Sequence, residues 1–139
     1  MPLHPLFQEL SYATRRMITA DNALLKNFGI TYSQWVFIVY LHNNKKSSLA
    51  PIARYYQIQK PAVTVTKNIF LKKGWIREEA GKDQREKIIS LTPEGESHFE
   101  AINTQVRAME KQFFSALDES EQRHLQEMLH RINSKGDLS

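Results

Sequence analysis

The sequence predicts a mainly helical fold with a small β-hairpin wing, class α+β, and three stretches carry that prediction. Residues 59–92 read as a helix, a turn, a strand, a charged tip and a second strand. Just upstream, Trp35 to Leu41 is an unbroken apolar run inside a helical pattern. Near both ends of the chain lie amphipathic stripes with no obvious partner inside a small core. A winged helix-turn-helix flanked by N- and C-terminal dimerisation helices accommodates all three.

The helix of the central stretch runs from Pro61 to Lys73 without a breaker, and Gly74 stands where a helix end wants positive φ. Val63, Thr66 and Phe70 form its narrow buried stripe. Lys60, Thr64, Lys67, Asn68 and Lys72 occupy much of the remaining surface. Lysine neutralises phosphate, while Thr, Asn and Gln hydrogen-bond base edges, so this face suits a DNA major groove. Gln59, Lys60, Thr64 and Asn68 are the candidates for base edges, and Lys67 for phosphate. Thr64 has a plainer alternative as a buried hydroxyl.

The hairpin follows at once. Trp75-Ile76 and Ile88-Ile89 are apolar and β-prone, and Ala80 to Arg85 forms a polar tip with a turn glycine. Lys82, Arg85 and Lys87 make the wing basic. Arg85 is the candidate for insertion into a narrow minor groove. Asp83 is expected to pair with a basic side chain and hold the wing in shape; the alternative is an exposed turn ion pair worth little.

These residues carry a resemblance. Ile52-Ala53, Val63-Thr64, Lys73-Gly74-Trp75-Ile76, Asp83-Gln84-Arg85 and Leu91-Thr92-Pro93-Glu94-Gly95 resemble the MarR group of bacterial winged helix-turn-helix regulators. The Asp-x-Arg tip, followed six residues on by Leu-Thr, is the most specific piece, and the resemblance spans roughly Leu6 to Ile132. One departure stands out: Gln59-Lys60-Pro61 replaces the usual Ser-Pro opening of the recognition helix, which weakens the cap and alters the first base-facing residues. The resemblance implies a dimeric regulator, most simply a repressor on a pseudo-palindromic operator. It also implies a small, anionic aromatic ligand that releases DNA. Tyr12, Arg15, Arg16, Trp35 and Tyr40 are the candidates to line such a pocket, with plain core packing the alternative for Trp35.

Charge and composition agree. Of the 139 residues, 41% are hydrophobic and 24% charged, as in an ordinary folded protein. Net charge is +4, but residues 45–92 hold 11 Lys or Arg against 4 Asp or Glu, a local +7, while the rest carries 8 against 11. A basic centre between acidic flanks suits double-stranded DNA as partner. Arg54 and Lys45 or Lys46 are further backbone-contact candidates. With no cysteine, disulfides and thiolate metal sites are excluded. No run is long enough to span a membrane and MPLHPLFQEL does not read as a secretory signal, so a cytoplasmic protein is expected. No phosphate loop, nucleophile elbow or zinc-protease motif is present, so neither an enzyme nor a cofactor is expected. The five histidines form no zinc motif, and no metal is expected; His42 and His98 are the one pair placed to meet.

In chain order, a helix from Pro5 reaches Gly29 with Leu6, Leu10, Ala13, Met17, Leu24 and Phe28 near one face. Thr31 to Gln34 is a capping box opening a buried helix, Tyr32 to about His42. Residues 43–47 read as a loop, and Ser48 as the cap of a short helix with Arg54 outward. After the wing, Thr92 and Pro93 open a helix in which Phe99, Ile102, Val106, Met109, Phe113 and Ala116 make a heptad seam. Asp118 and Glu121 repeat the capping box before a last stripe of Leu125, Met128, Leu129 and Ile132, and 134–139 is expected to fray. The expected organisation is a winged helix-turn-helix over 31–92 and a helical dimerisation region from 1–30 and 93–139. Leu6, Leu10, Phe113, Leu125 and Leu129 are the candidate homodimer contacts; a monomeric bundle is the alternative. The rival function is a winged-helix protein–protein module without specific DNA binding, using Trp75 and the wing as its contact surface.

Overall fold

The computed structural model describes residues 4–83 and 85–135. Gln84 of the wing motif and residues 136–139 of the expected frayed tail lie outside them. The described elements run α1 (Pro5–Leu25), a 3-10 turn (Lys26–Phe28), α2 (Tyr32–Asn44), β1 (Lys46–Ser47), α3 (Leu49–Tyr56), α4 (Lys60–Lys73), β2 (Ile76–Ala80), β3 (Lys87–Leu91), α5 (Pro93–Phe113) and α6 (Glu119–Ser134). The predicted class holds: mostly helix with a small antiparallel wing.

Local chemistry explains most boundaries. His4 Nδ1 accepts a hydrogen bond from the Leu6 N–H and caps α1, with Pro5 in the first turn. The helix tightens to 3-10 geometry before Gly29 at φ 75° ends it. Both sides of the Thr31–Gln34 capping box form, and Asn22 Oδ1 also accepts from the Tyr32 N–H at 2.8 Å. The Asp118–Glu121 box is likewise complete. Ser48 sits at the N-cap position of α3 with extended backbone, but its side chain makes no capping bond. Gln57, at φ 53°, supplies the left-handed turn between α3 and α4 without a glycine.

Residues 43–47 are not simply a loop. Asn43 and Asn44 extend α2, and Lys46 and Ser47 form β1, paired antiparallel with Ser90 and Ile89. The wing is therefore the outer part of a three-stranded sheet, order β1-β3-β2, with Ile76 opposite Leu91 and Ala80 opposite Lys87.

The chain divides into two compact units, Met1–Val106 and Arg107–Ser139. In the first, Phe70 of α4 stacks on Phe37 of α2 at 5.8 Å and meets Trp75 at 5.2 Å, so α4 and the root of the wing share one aromatic column. Phe99, Ile102 and Val106 of α5 are buried in this same core, together with Leu25 of α1. The spacing predicted one continuous seam for a partner; its first half is instead internal packing. Met109 and Phe113 are only partly buried, and Ala116 falls beyond the end of α5. In the second unit, Gln122 Nε2 donates to the Phe114 and Leu117 carbonyls and closes the turn before α6.

One junction orders the middle of the chain. Thr92 Oγ1 donates to the Gly74 carbonyl at 2.7 Å and accepts from the Gly95 N–H at 3.0 Å, while the Thr92 N–H donates to the Trp75 carbonyl at 2.9 Å. Gly95 lies so close to that carbonyl that an added Cβ would overlap it. Gly95→Ala is therefore expected to cost about 2–3 kcal/mol by overpacking against fixed backbone. Urea denaturation at equilibrium checks it, and an unchanged midpoint would remove the steric argument.

Candidate nucleic-acid interface

The N-terminus of α4 carries no side-chain cap and no acidic residue in its first turn; Gln59 holds the N-cap position without capping. Pro61 has no N–H and the Ala62 and Val63 N–H groups donate to the Gln59 carbonyl, so what suits a phosphate there is the positive end of the helix dipole with exposed Lys60. Along α4, Val63 and Phe70 are buried, whereas Pro61, Val65, Asn68 and Lys72 are exposed at spacings of 4, 3 and 4 on the opposite side. Lys60 and Gln59 are also exposed. Thr64 is half-buried, and its hydroxyl donates to the Lys60 carbonyl at 3.2 Å, so the bond it makes is within the helix.

Val65 was missed by sequence reasoning. An apolar residue in a helix reads as core, but this side chain is 59% exposed beside Asn68. Its position one residue off the buried stripe was the available signal. An exposed aliphatic group on a polar face matches the thymine methyl in a major groove.

The wing tip is shaped by backbone chemistry. The Gly81 N–H donates to the Glu86 carbonyl and the Glu86 N–H to the Asp83 carbonyl, both at 2.8 Å. Asp83 Oδ1 accepts from the Arg85 N–H at 3.1 Å. Asp83 was expected to pair with a basic side chain; the partner found is a backbone N–H. Lys82, Arg85 and Lys87 are exposed, and among the described residues none of the three makes an ion pair. Arg54 on α3 is exposed as well.

Lys67 behaves differently from the expectation. Its Nζ lies 2.8 Å from Glu78 Oε2 on β2, with only 15% and 22% of the two side chains exposed. The pair straps the recognition helix to the wing. A charge held by a carboxylate in a mostly buried pair is not presented to a phosphate.

The expected ligand-pocket residues separate. Trp35 is 4% exposed and stacks on Phe99 at 5.3 Å, so it is core packing. Tyr40 packs against Tyr55 and Tyr56. Tyr56 donates to the Val36 carbonyl, and burial, then neighbouring Tyr55, Tyr32 and Tyr40, push its phenol well above the ordinary value. Tyr12 is 56% exposed, with the guanidinium groups of Arg15 and Arg16 each 5.9 Å from its ring centroid. Trp75, the contact expected for a protein-binding module, is 6% exposed between Phe70 and His98. His42 and His98 do not meet as a pair: His42 stacks on Phe99 and His98 on Trp75.

No family model matches the chain. Among curated proteins, it is similar to YwoH of Bacillus subtilis, an uncharacterized HTH-type transcriptional regulator. They are 28% identical over 110 residues, covering 79% of this chain and 80% of that protein. SAR2349 of Staphylococcus aureus, another uncharacterized HTH-type transcriptional regulator, is 23% identical over 120 residues, covering 86% and 82%. Among solved structures, a mutant MarR from E. coli complexed with operator DNA superposes with a TM-score of 0.81 at 18% identity, over 92% of this chain and 93% of that one. BldR from Sulfolobus solfataricus gives 0.84 at 22% identity over 94% of each chain. These likenesses bear out the fold read from the sequence.

Breaking the Lys67–Glu78 strap leaves a mostly buried charge without its partner. Lys67→Ala and Glu78→Ala are each expected to lower stability by about 1–2 kcal/mol, between the values for exposed and buried pairs. Their double mutant should lose less than the sum. Additive losses in a double-mutant cycle would mean that the pair is not coupled.

Proposed function

We propose, from the MarR winged helix-turn-helix fold that this chain adopts, that it is a sequence-specific, double-stranded-DNA-binding transcription regulator acting as a homodimer and a repressor. The observation that carries the proposal is the pairing of two features in one unit. One is the exposed polar face of α4, uncapped at its N-terminus. The other is a wing tip whose basic residues make no ion pair among the described residues. In this reading Asn68 and Val65 meet base edges, with Gln59 and Thr64 beside them. Lys60, Lys72 and Arg54 lie along phosphates, and Lys82, Arg85 and Lys87 act from the wing, Arg85 in the minor groove. The operator complex of the E. coli MarR mutant, and curated relatives described as uncharacterized HTH-type transcriptional regulators, support it.

Exposed apolar residues on the terminal helices support the dimer: Leu6 and Leu10 on α1, Met128 and Ile132 on α6. Phe113, Leu125 and Leu129 are only partly buried and are further proposed dimer contacts. A two-fold dimer would set two recognition helices about one helical turn apart, roughly 34 Å, and read a pseudo-palindrome. The proposed release by a small anionic aromatic ligand rests on exposed Tyr12 beside Arg15 and Arg16; Trp35 drops out because the core holds it, and Tyr40 because it packs with Tyr55 and Tyr56. Such a ligand shifts DNA binding only by its differential affinity for two forms. Among the described residues, no helix is long and apolar enough to cross a membrane. A cytoplasmic location is part of the proposal.

Selection from random duplexes, followed by titration at two salt concentrations, tests the function. A palindromic motif should emerge, and six phosphate contacts would lower affinity about 1,000-fold between 50 and 200 mM salt. Salt-independent binding, or no motif, would favour the protein-interaction module. Arg85→Ala should weaken binding about tenfold and reduce the salt slope by about one, with the dimer intact by sedimentation. Replacing operator thymine by uracil, which removes only the 5-methyl group, should weaken wild type roughly fourfold and Val65→Ala little. Equal sensitivity in both proteins would take Val65 off the bases.

A further inference from the structure

His42, Glu96 and Glu100 converge outside the DNA-facing surface. His42 lies in the last turn of α2, and the two glutamates stand one helical turn apart near the start of α5. One ligand atom from each lies within 4.8 Å of the others. His42 Nδ1 is 2.9 Å from Glu96 Oε2, and the His42 ring is stacked on Phe99 with centroids 3.8 Å apart. The packing fixes the imidazole, whose side chain is 27% exposed, while Glu96 and Glu100 face solvent enough to admit an ion.

A simple His–Glu hydrogen bond accounts for two of these groups but not for the third. Two carboxylates at i and i+4 repel on a helix. Among the described residues, neither Glu96 nor Glu100 forms an ion pair with a lysine or arginine. Two ligands each about 2.1 Å from an ion stand about 3.0 Å apart at octahedral angles and about 3.4 Å apart at tetrahedral ones, so a small opening of the 2.9 Å His42–Glu96 contact admits either geometry. Exposed Glu100 has the rotamer freedom to close on the same point.

We propose that His42, Glu96 and Glu100 form a binding site for a first-row divalent transition cation, of which Zn2+ and Mn2+ are the test cases. One imidazole and two carboxylates make a borderline-to-hard ligand set. Three protein ligands leave further coordination positions to water. It would join the C-terminal end of α2, which leads into β1 and the helix-turn-helix, to the first turns of α5. Because all three groups are brought together only by folding, the ion stabilises the folded unit.

The test is calorimetric titration of the full chain, stripped by chelation, with Zn2+ and separately with Mn2+. The proposal requires one ion per chain for at least one of them, accompanied by a rise in melting temperature. Glu100→Gln should melt as wild type without metal, since the side chain is exposed, and should lose at least about tenfold in affinity together with the thermal shift. Glu94→Gln, which removes the neighbouring carboxylate beside His98, should bind as wild type. Absence of binding by the wild type overturns the site. So does unchanged affinity in Glu100→Gln, which would place the ion elsewhere, such as on His124 or His130.

Discussion

Thr92, through its hydroxyl and its N–H, ties the end of α4, the start of α5 and the root of the wing together at one point. By donating to the Gly74 carbonyl it fixes the end of α4, and by accepting from Gly95 it starts α5. The Thr92 N–H meanwhile holds the carbonyl of Trp75, the residue from which the wing departs. Gly74, at φ 77°, lets the chain leave α4 in the left-handed conformation that this geometry needs. The recognition helix and the wing are thereby set against each other by backbone bonds. Side-chain contacts, the Phe37–Phe70–Trp75 column and the Lys67–Glu78 strap, then consolidate the arrangement. The DNA-reading surface proposed for α4 and the wing depends on their relative placement more than on either alone.

Features encoded within a few residues were legible in the sequence. The Thr31 and Asp118 capping boxes, the glycine stops at 29 and 74, and the turn between the wing strands all follow from local hydrogen bonding and φ preference. β1 was not legible. Two residues cannot display a period of two, and their partners, Ser90 and Ile89, lie more than forty positions away. Periodicity also identifies a stripe without naming what covers it. Phe99, Ile102 and Val106 have the same spacing as Met109 and Phe113, yet the first three complete the core and the others remain partly open.

The candidate site divides along the same line. Exposure of Lys60, Asn68, Lys82, Arg85 and Lys87 follows from the cost of burying a polar group, and residue type was enough to anticipate it. Lys67 departs because Glu78 comes to it from β2, a contact across the fold that no local pattern encodes. Val65 departs in the other sense, since hydrophobicity predicts burial on average and says nothing of a particular face. The sequence suggests His98 as the partner of His42; the two carboxylates found beside it lie about fifty residues downstream, where no local pattern links them to it. Lys67, β1 and His42 are tertiary juxtapositions, whereas Val65 and Asp83 depart through local exposure and local backbone bonding.

The distribution of acidic residues in the wing explains why its positive charge stays available. Glu78 is held by Lys67, and Asp83 points its Oδ1 at a backbone N–H. These two carboxylates are engaged within the fold, and exposed Glu79 and Glu86 make no ion pair with the tip among the described residues. Leaving Lys82, Arg85 and Lys87 without ion pairs costs the domain little, because an exposed pair contributes on the order of 0–1 kcal/mol. The same three charges facing a polyanion act together, each displacing condensed counterion. The wing therefore gives up little folding stability to keep these charges free, while their value for association is cumulative.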